Sequence, residues 1–289
     1  MVVCDVRRCS GQGGEIAEAA DAVAGLPLLP LVKWAGGKRW LARRPEFRPP
    51  PFIRYVEPFF GGGALFFHLL PRASLLSDIN VDLIRTYEAV RDNWQDVERE
   101  LLKHAAQHTS EYYYEVRSRS EDLGARAAAR FLYLNRTCWN GLYRVNRSGE
   151  FNVPIGTKTN IVTSGELKAA SEALQTATLR VADFAETLSR TTAGDFVYVD
   201  PPYTVKHNRN GFLKYNERIF TWADQERLRD AVVAARARGA HVLVSNAAHD
   251  SVRELYEGVG EVIELQRASV IAGKATARGS ETELLVRCY

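Results

Sequence analysis

The sequence lacks the features that mark several large classes of protein. Its 289 residues contain four cysteines, Cys4, Cys9, Cys138 and Cys288, and their spacing matches no metal-ligand pattern. They read as free thiols of a reducing compartment. No cluster of His, Cys and acids suggests a metal. No apolar run reaches the roughly 18 residues of a membrane span. The N-terminus holds Asp5 and two arginines but no apolar signal-peptide core. A cytoplasmic protein without a membrane partner is therefore expected. Neither the dinucleotide GxGxxG nor a phosphate-binding GxxxxGK[ST] loop is present, which removes the simplest argument for a nicotinamide dehydrogenase or a nucleoside triphosphatase. There is no internal repeat and no long low-complexity tract.

What is present fits one large α/β domain, or such a domain with an insertion. Hydrophobic residues make up 46% and charged residues 25%, ordinary for a globular chain. The net charge of +3 permits nucleic-acid binding without requiring it. Basic residues concentrate at 33–54 and 136–147, which suggests local patches. Residues 1–29, with Gly11, Gly13 and Gly14, read as an extension expected to be partly disordered.

From Leu31 the texture is regular. A strand over 53–59 meets Phe60-Gly61-Gly62-Gly63, helix formers fill 64–70, and a second strand at 74–77 ends in Asp78 before a helix over 81–90. Strand, glycine turn, helix, strand and acid open a doubly wound sheet. Residues 91–134 read as helical. Residues 135–158 are polar and aromatic, with a tight loop or hairpin tip at Asn146-Arg147-Ser148-Gly149. Strands at 178–181, 196–199, 241–245, 262–265 and 283–288 follow. A helix over 222–238 is capped by Thr221 and ended by Gly239.

Glu57-Pro58-Phe59-Phe60-Gly61-Gly62-Gly63 is a turn whose glycines admit unusual φ/ψ and close approach to a ligand, or serve the turn alone. The glutamate before it suits a neutral or cationic guest better than a phosphate. Asp78 can accept from ribose hydroxyls or cap the following helix. Lys33-Trp34-Ala35-Gly36-Gly37-Lys38 offers an aromatic plane and two cations, or a plain basic loop.

Asp200-Pro201-Pro202-Tyr203 discriminates among these readings. The nitrogen lone pair of an exocyclic amine is delocalised into its ring. A carboxylate and a backbone carbonyl accepting both N–H groups localise that lone pair, while an aromatic ring holds the base flat. Asp200, Pro201 and Tyr203 supply these parts on a proline-stiffened turn, where preorganisation matters more than a strong base. His68 reads as a packed helix residue. His207, with Lys206 and Arg209, reads as part of a loop able to touch substrate.

KWAGGK, EPFFGGGA, SDIN, NR followed by NGLYRVN and GEFNVPIG, and DPPY stand in the order of the DNA adenine methyltransferase (Dam) family, which the chain resembles from about Leu31 to Tyr289. The resemblance implies a Rossmann-like class I methyltransferase. Its mixed seven-stranded sheet would span 30–90 and 160–289, and an inserted helical and hairpin DNA-recognition domain 91–159. S-adenosylmethionine is the implied methyl donor. Trp34, Lys38, Glu57, Phe59, Gly61, Gly62, Asp78, Asp183, Phe184 and Asp200 fall at cofactor positions, and Asp200, Pro201 and Tyr203 in the catalytic motif. Double-stranded DNA is the implied partner, with adenine flipped from the duplex because N6 of a paired adenine is hydrogen-bonded. Lys33, Arg136, Trp139, Asn140, Leu142, Arg144, Asn146 and Pro154 fall in its reading segments, with Arg147 beside them. In the family, NGLxR and the lysine at position 33 imply a GATC site. No metal and no obligate protein partner are implied. The same motifs serve solitary enzymes and restriction–modification systems. An RNA or protein-amide methyltransferase, which commonly begins the motif with Asn, and a silent DNA-binding regulator are the rivals.

Overall fold

The short apolar runs become the strands of one mixed sheet. The computed structural model describes residues 28–120, 123–146, 148–206, 220–268 and 280–289. Its strands are β1 (Arg54–Glu57), β2 (Ser74–Asp78), β3 (Ala177–Val181), β4 (Asp195–Val199), β5 (His241–Ala247), β6 (Glu261–Ala268) and β7 (Ser280–Cys288), in spatial order β3-β2-β1-β4-β5-β7-β6. The first five are parallel, and β7 runs antiparallel between β5 and β6. β4 is buried along its whole length, which is why it reads as an unbroken apolar run. Pro201 and Pro202 lack the N–H groups that would continue its ladder.

Helices cover both faces: α1 (Phe66–Leu69), α2 (Val81–Ala106), α3 (Ser110–Ser118), α4 (Gly124–Thr137), α5 (Glu166–Leu174), α6 (Phe184–Ser189), α7 (Trp222–Ala237) and α8 (Asp250–Leu255). Alternate residues of the central strands face opposite layers. Tyr55, Phe196 and Tyr198 pack with Leu83 and Tyr87 of α2 and with Leu132 and Tyr133 of α4. Val56, Val197 and Val199 pack with Leu188 of α6 and Leu228 and Val232 of α7. Thr221 and Asp224 form a reciprocal capping box at the start of α7, and Gly239 follows its end with φ +89°.

Among the described residues, the buried apolar side chains of 91–159 share one cluster with those on one face of the sheet. Val97, Leu101, Tyr113 and Phe131 belong to it. The 90/91 boundary falls inside α2, which runs on to Ala106 past a non-helical Asn93 (φ −154°, ψ 67°). The expected hairpin is an irregular antiparallel loop with isolated bridges at Cys138–Ile155 and Val145–Phe151. The N-terminal stretch as far as residue 27, and with it most of the expected extension, lies outside the described residues, as do Arg147, His207 and Arg209.

Two features position the site. Sheet order reverses between β1 and β4, so the crevice of an open α/β sheet opens beyond Glu57 and Val199. Buried Asn135 of α4 then ties two loops together: it accepts from the Lys33 N–H at 2.9 Å and donates to the carbonyls of Lys33 at 2.9 Å and Gly141 at 3.3 Å. Asn135→Ala would leave these groups unsatisfied, and a loss of about 1–3 kcal/mol in urea unfolding is expected. A loss below about 0.5 kcal/mol would show that the loops hold without it.

Candidate active site

Four distant parts of the chain meet at the switch point: the loop before β1, the end of β1, the turn after β4 and the start of β7. The Asp200 carboxylate lies 3.0 Å from Lys38 Nζ. The same ammonium lies 3.4 Å from the Glu283 carboxylate and donates to the Gly36 carbonyl at 3.0 Å. Lys38 and Glu283 expose only 3% and 4% of their side chains, whereas Asp200 keeps 18% open. Tyr203 donates its phenol to Glu283 at 2.8 Å, and its ring centroid lies 4.9 Å from Lys38 Nζ. Fully buried Gln225 of α7 donates to the Pro202 carbonyl at 3.3 Å and accepts from Asn246 of β5 at 3.0 Å. The turn is thus held from both layers.

The electrostatics follow from burial. It pushes the Asp200 carboxyl up to about 6; Lys38 opposes the shift and Glu283 adds to it. Burial also lifts Glu57 well above the carboxylate range, against a 2.9 Å hydrogen bond from Tyr55, with Asp200 and Asp78 adding. Asp78 is raised by burial and restrained by backbone N–H groups of Asn80, Gly61 and Ile79. Glu57, Asp78, Asp200 and Glu283 form a chain of carboxyls that Lys38 alone among the described residues answers with a direct ion pair. Such a site favours cationic guests and N–H donors over anions.

The glycine turn has a reason the sequence did not disclose. A Cβ on Gly61 (φ +48°) would lie 2.6 Å from the Trp34 ring, so the room it leaves is filled by protein. Trp34 in turn stacks on Tyr143 at 5.3 Å. Asp78 is not the cap of α2: Asn80 accepts from the Leu83 N–H at 3.0 Å, while Asp78 accepts from Gly61 at 3.0 Å and braces the turn. Gly62 lies against Trp34 and the Val32 carbonyl. Farther along the sheet edge, Phe59 stacks on Phe184 at 5.5 Å, and the Arg227 guanidinium lies 4.4 Å above the Phe184 ring. Asp183 caps α6 through the Ala185 N–H and accepts from Arg227 at 3.0 and 3.2 Å.

On the loop side, Trp139 and Leu142 are exposed at 54% and 41%, unusual for such side chains. Asn140 sits in the left-handed region at φ 54°, which asparagine tolerates better than most residues. The Lys33 side chain packs where a Cβ on Gly141 would stand. Burial draws its ammonium down to about 8, with Lys158 beside it adding to the shift. Arg144 donates to the Asn152 side chain at 2.8 Å, and exposed Pro154 accepts from the Trp139 N–H at 2.9 Å.

Two expected DNA-facing residues have partners within the protein. Arg136 donates to the carbonyls of Ile161 at 2.6 Å and Leu31 at 3.1 Å and pairs with Glu166. With 10% of its side chain exposed it is an internal clamp, which corrects the reading of this arginine as a phosphate or guanine contact. The Asn146 side chain accepts from the N–H groups of Ser148 and Glu150 and so shapes the loop tip. Sequence reasoning missed Glu283 and Gln225. The signal for Glu283 was an acid opening the apolar run 284–286, but only the pairing of Glu283 with Ala247 reveals where it points.

Comparison with known proteins identifies the family. A family model described as D12 class N6 adenine-specific DNA methyltransferase matches residues 34–271. The Type II methyltransferase M1.LlaDCHI of Lactococcus lactis subsp. cremoris is 34% identical over 273 residues, covering 91% of this chain and 96% of the relative. The DNA adenine methylase of Vibrio cholerae (El Tor Inaba N16961) is 35% identical over 263 residues, covering 88% and 94%. That of Escherichia coli (strain K12) is 34% identical over 265 residues, covering 88% and 93%. With a carboxylate–proline–proline–tyrosine turn at the switch point, and with most of its length matched, the chain belongs to the D12 class of N6 adenine-specific DNA methyltransferases.

Proposed function

We propose that this enzyme transfers a methyl group from S-adenosylmethionine to N6 of an adenine flipped out of duplex DNA, with GATC as the site. The observation that carries the reading is the Asp200–Lys38–Glu283–Tyr203 cluster at the end of β4. Bound S-adenosylmethionine would supply a sulfonium-activated methyl group. The residues fit that guest. The surplus of carboxyls from Glu57 to Glu283 suits a cation, and Asp78 stands at the end of β2, where a ribose acceptor belongs. Trp34, Lys38, Glu57, Phe59, Gly61, Gly62, Asp183 and Phe184 complete the assigned donor site. Asp200 accepts one N–H of the adenine amine and the Pro201 carbonyl the other, so that the lone pair is directed outward. Tyr203 supplies a flat face. No strong base is needed, because the proton leaves only after nitrogen has become cationic.

The face that carries Lys33, Trp139, Asn140, Leu142, Arg144 and Pro154 is assigned to DNA. Exposed Trp139 and Leu142 can fill the gap left by a flipped base, and Lys33 and Arg144 can reach phosphates or guanine edges. Residues 91–159 carry most of this face, while 30–90 and 160–289 carry the chemistry. No described helix is long and apolar enough to cross a membrane. The cytoplasm, where DNA and reduced thiols coexist, is the proposed location.

Asp200→Ala is expected to lower methyl transfer at least ~100-fold, the scale of losing one preorganised polar group, while donor binding by calorimetry persists. Near-normal transfer would remove Asp200 from its role. Because the carboxylate must be ionised to accept N–H, kcat should fall as pH drops through about 6. A kcat that stays flat well below that pH would contradict the raised carboxyl.

Lys33 gives the opposite sign. Its ammonium is lost as pH rises through about 8, so duplex affinity should weaken there, and Lys158→Ala should move the loss to higher pH. Affinity that is flat across this range in both proteins would exclude Lys33 from the DNA face. Methylation-sensitive sequencing of a host expressing the enzyme should find modified adenine in GATC. Modified adenine confined to other sites would overturn the site but not the chemistry.

A further inference from the structure

Lys38 poses a problem for the proposed reaction. Its ammonium sits 3.0 Å from the Asp200 carboxylate, the group that must turn to the adenine amine. While Lys38 holds that carboxylate, its oxygens are weaker acceptors. Yet Lys38 is 3% exposed and cannot retreat to water. An ammonium released into a buried site without a partner is strongly disfavoured.

Glu283 resolves this. It opens the apolar part of β7, in register with Ala247 of β5, and its carboxylate faces the site. It lies 3.4 Å from Lys38 Nζ, just beyond the 2.7–2.9 Å of a well-formed charged hydrogen bond. It also accepts the Tyr203 phenol at 2.8 Å. Its position is outside the region matched by the family model, which ends at 271.

We infer that Glu283 is a positioning residue for methyl transfer, fixing Tyr203 through its hydroxyl and taking the Lys38 ammonium when Asp200 engages the target amine. The inference rests on the proposed adenine chemistry at this site. Glu283 touches neither reacting atom; it acts through Lys38 and Tyr203. Seated between them, its charge lets the Lys38 ammonium pass from one carboxylate to another without leaving the cluster. Asp200 is faced by Lys38 from the loop before β1, Tyr55 and Glu57 from β1, Tyr198 from β4, Tyr203 from the turn and Glu283 from β7. Of these, the anion of Glu283 holds the Asp200 carboxyl up and Lys38 draws it down.

Glu283→Gln keeps an acceptor for Tyr203 but removes the charge that receives Lys38. The full-length variant should lose roughly tenfold or more in kcat, with KM for duplex and donor within about twofold, the pattern of an interaction used in the transition state. Its acid limb should shift below that of the wild type, because the anion that raised Asp200 is gone and Lys38 stays on Asp200. A role confined to packing or to the Tyr203 hydrogen bond would not move that limb, and a bystander charge would move it without the loss in kcat. Wild-type kcat with an unmoved limb in Glu283→Gln overturns the inference. If Glu283→Gln gives no cooperative melt, Tyr203→Phe carries the test. Loss of the phenol should lower kcat several-fold with donor affinity kept, and an unchanged kcat overturns the inference. The wild type is assayed beside each variant. Active wild type with an indifferent Glu283→Gln sinks only the role of Glu283, whereas a wild type that does not methylate adenine overturns the adenine reading and this inference together.

Discussion

The buried ammonium of Lys38 ties the described parts of the site together. Lys38 is surrounded by Asp200, Glu283, the Gly36 carbonyl and the ring of Tyr203, and none of these is near it in sequence except Gly36. Burying one charge is costly unless it is paired and hydrogen-bonded, so the cluster stands only when the surrounding elements are all in place. The sheet must reverse its order between β1 and β4, β7 must run antiparallel beside β5, and the loop before β1 must be held down. Asn135 and Arg136 perform that last task from α4, by holding the backbone of Lys33 and Leu31 respectively. Residues that read as nucleic-acid contacts and residues that shape the catalytic centre therefore depend on one another.

That dependence explains what could and could not be read from the chain. β4 was legible because a fully buried parallel strand is an uninterrupted apolar run, and its end was legible because two prolines and an acid stop it. α7 was legible from its cap: Thr221 and Asp224 act locally. Asp200, Pro201 and Tyr203 stood out because they are contiguous. Glu283 did not, since its role depends on the register of an antiparallel strand some eighty positions later, and register leaves no local mark. Arg136 misled for a related reason. An arginine in a basic, polar stretch reads as a free cation, but three acceptors from three separate segments enclose it. Gly61 was open to two readings, close approach to a ligand or the needs of the turn, and only the fold shows that a side chain there would meet Trp34.

Residues 91–159 show the same limit on a larger scale. Their helical character was visible in composition, yet their apolar residues both pack on one another, as Tyr113 does on Tyr133, and join the cluster over the sheet. Periodicity tells which residues are buried but not what buries them. The consequence is mechanical: the Lys33 loop and the turn after β4 are mounted on one continuous core, so a displaced Lys33 loop would be felt at Lys38 five residues on.

The proposed chemistry reduces to placing a carboxylate, raised by burial to about 6 and paired with the Lys38 ammonium, where an aromatic amine would present its lone pair. Mass-spectrometric analysis of the nucleosides released from duplex DNA, after reaction of the wild-type enzyme with isotopically labelled S-adenosylmethionine, tests this most directly. The account predicts label in N6-methyldeoxyadenosine and in no other nucleoside. Label in a methylated cytidine, or none in the DNA at all, would contradict it.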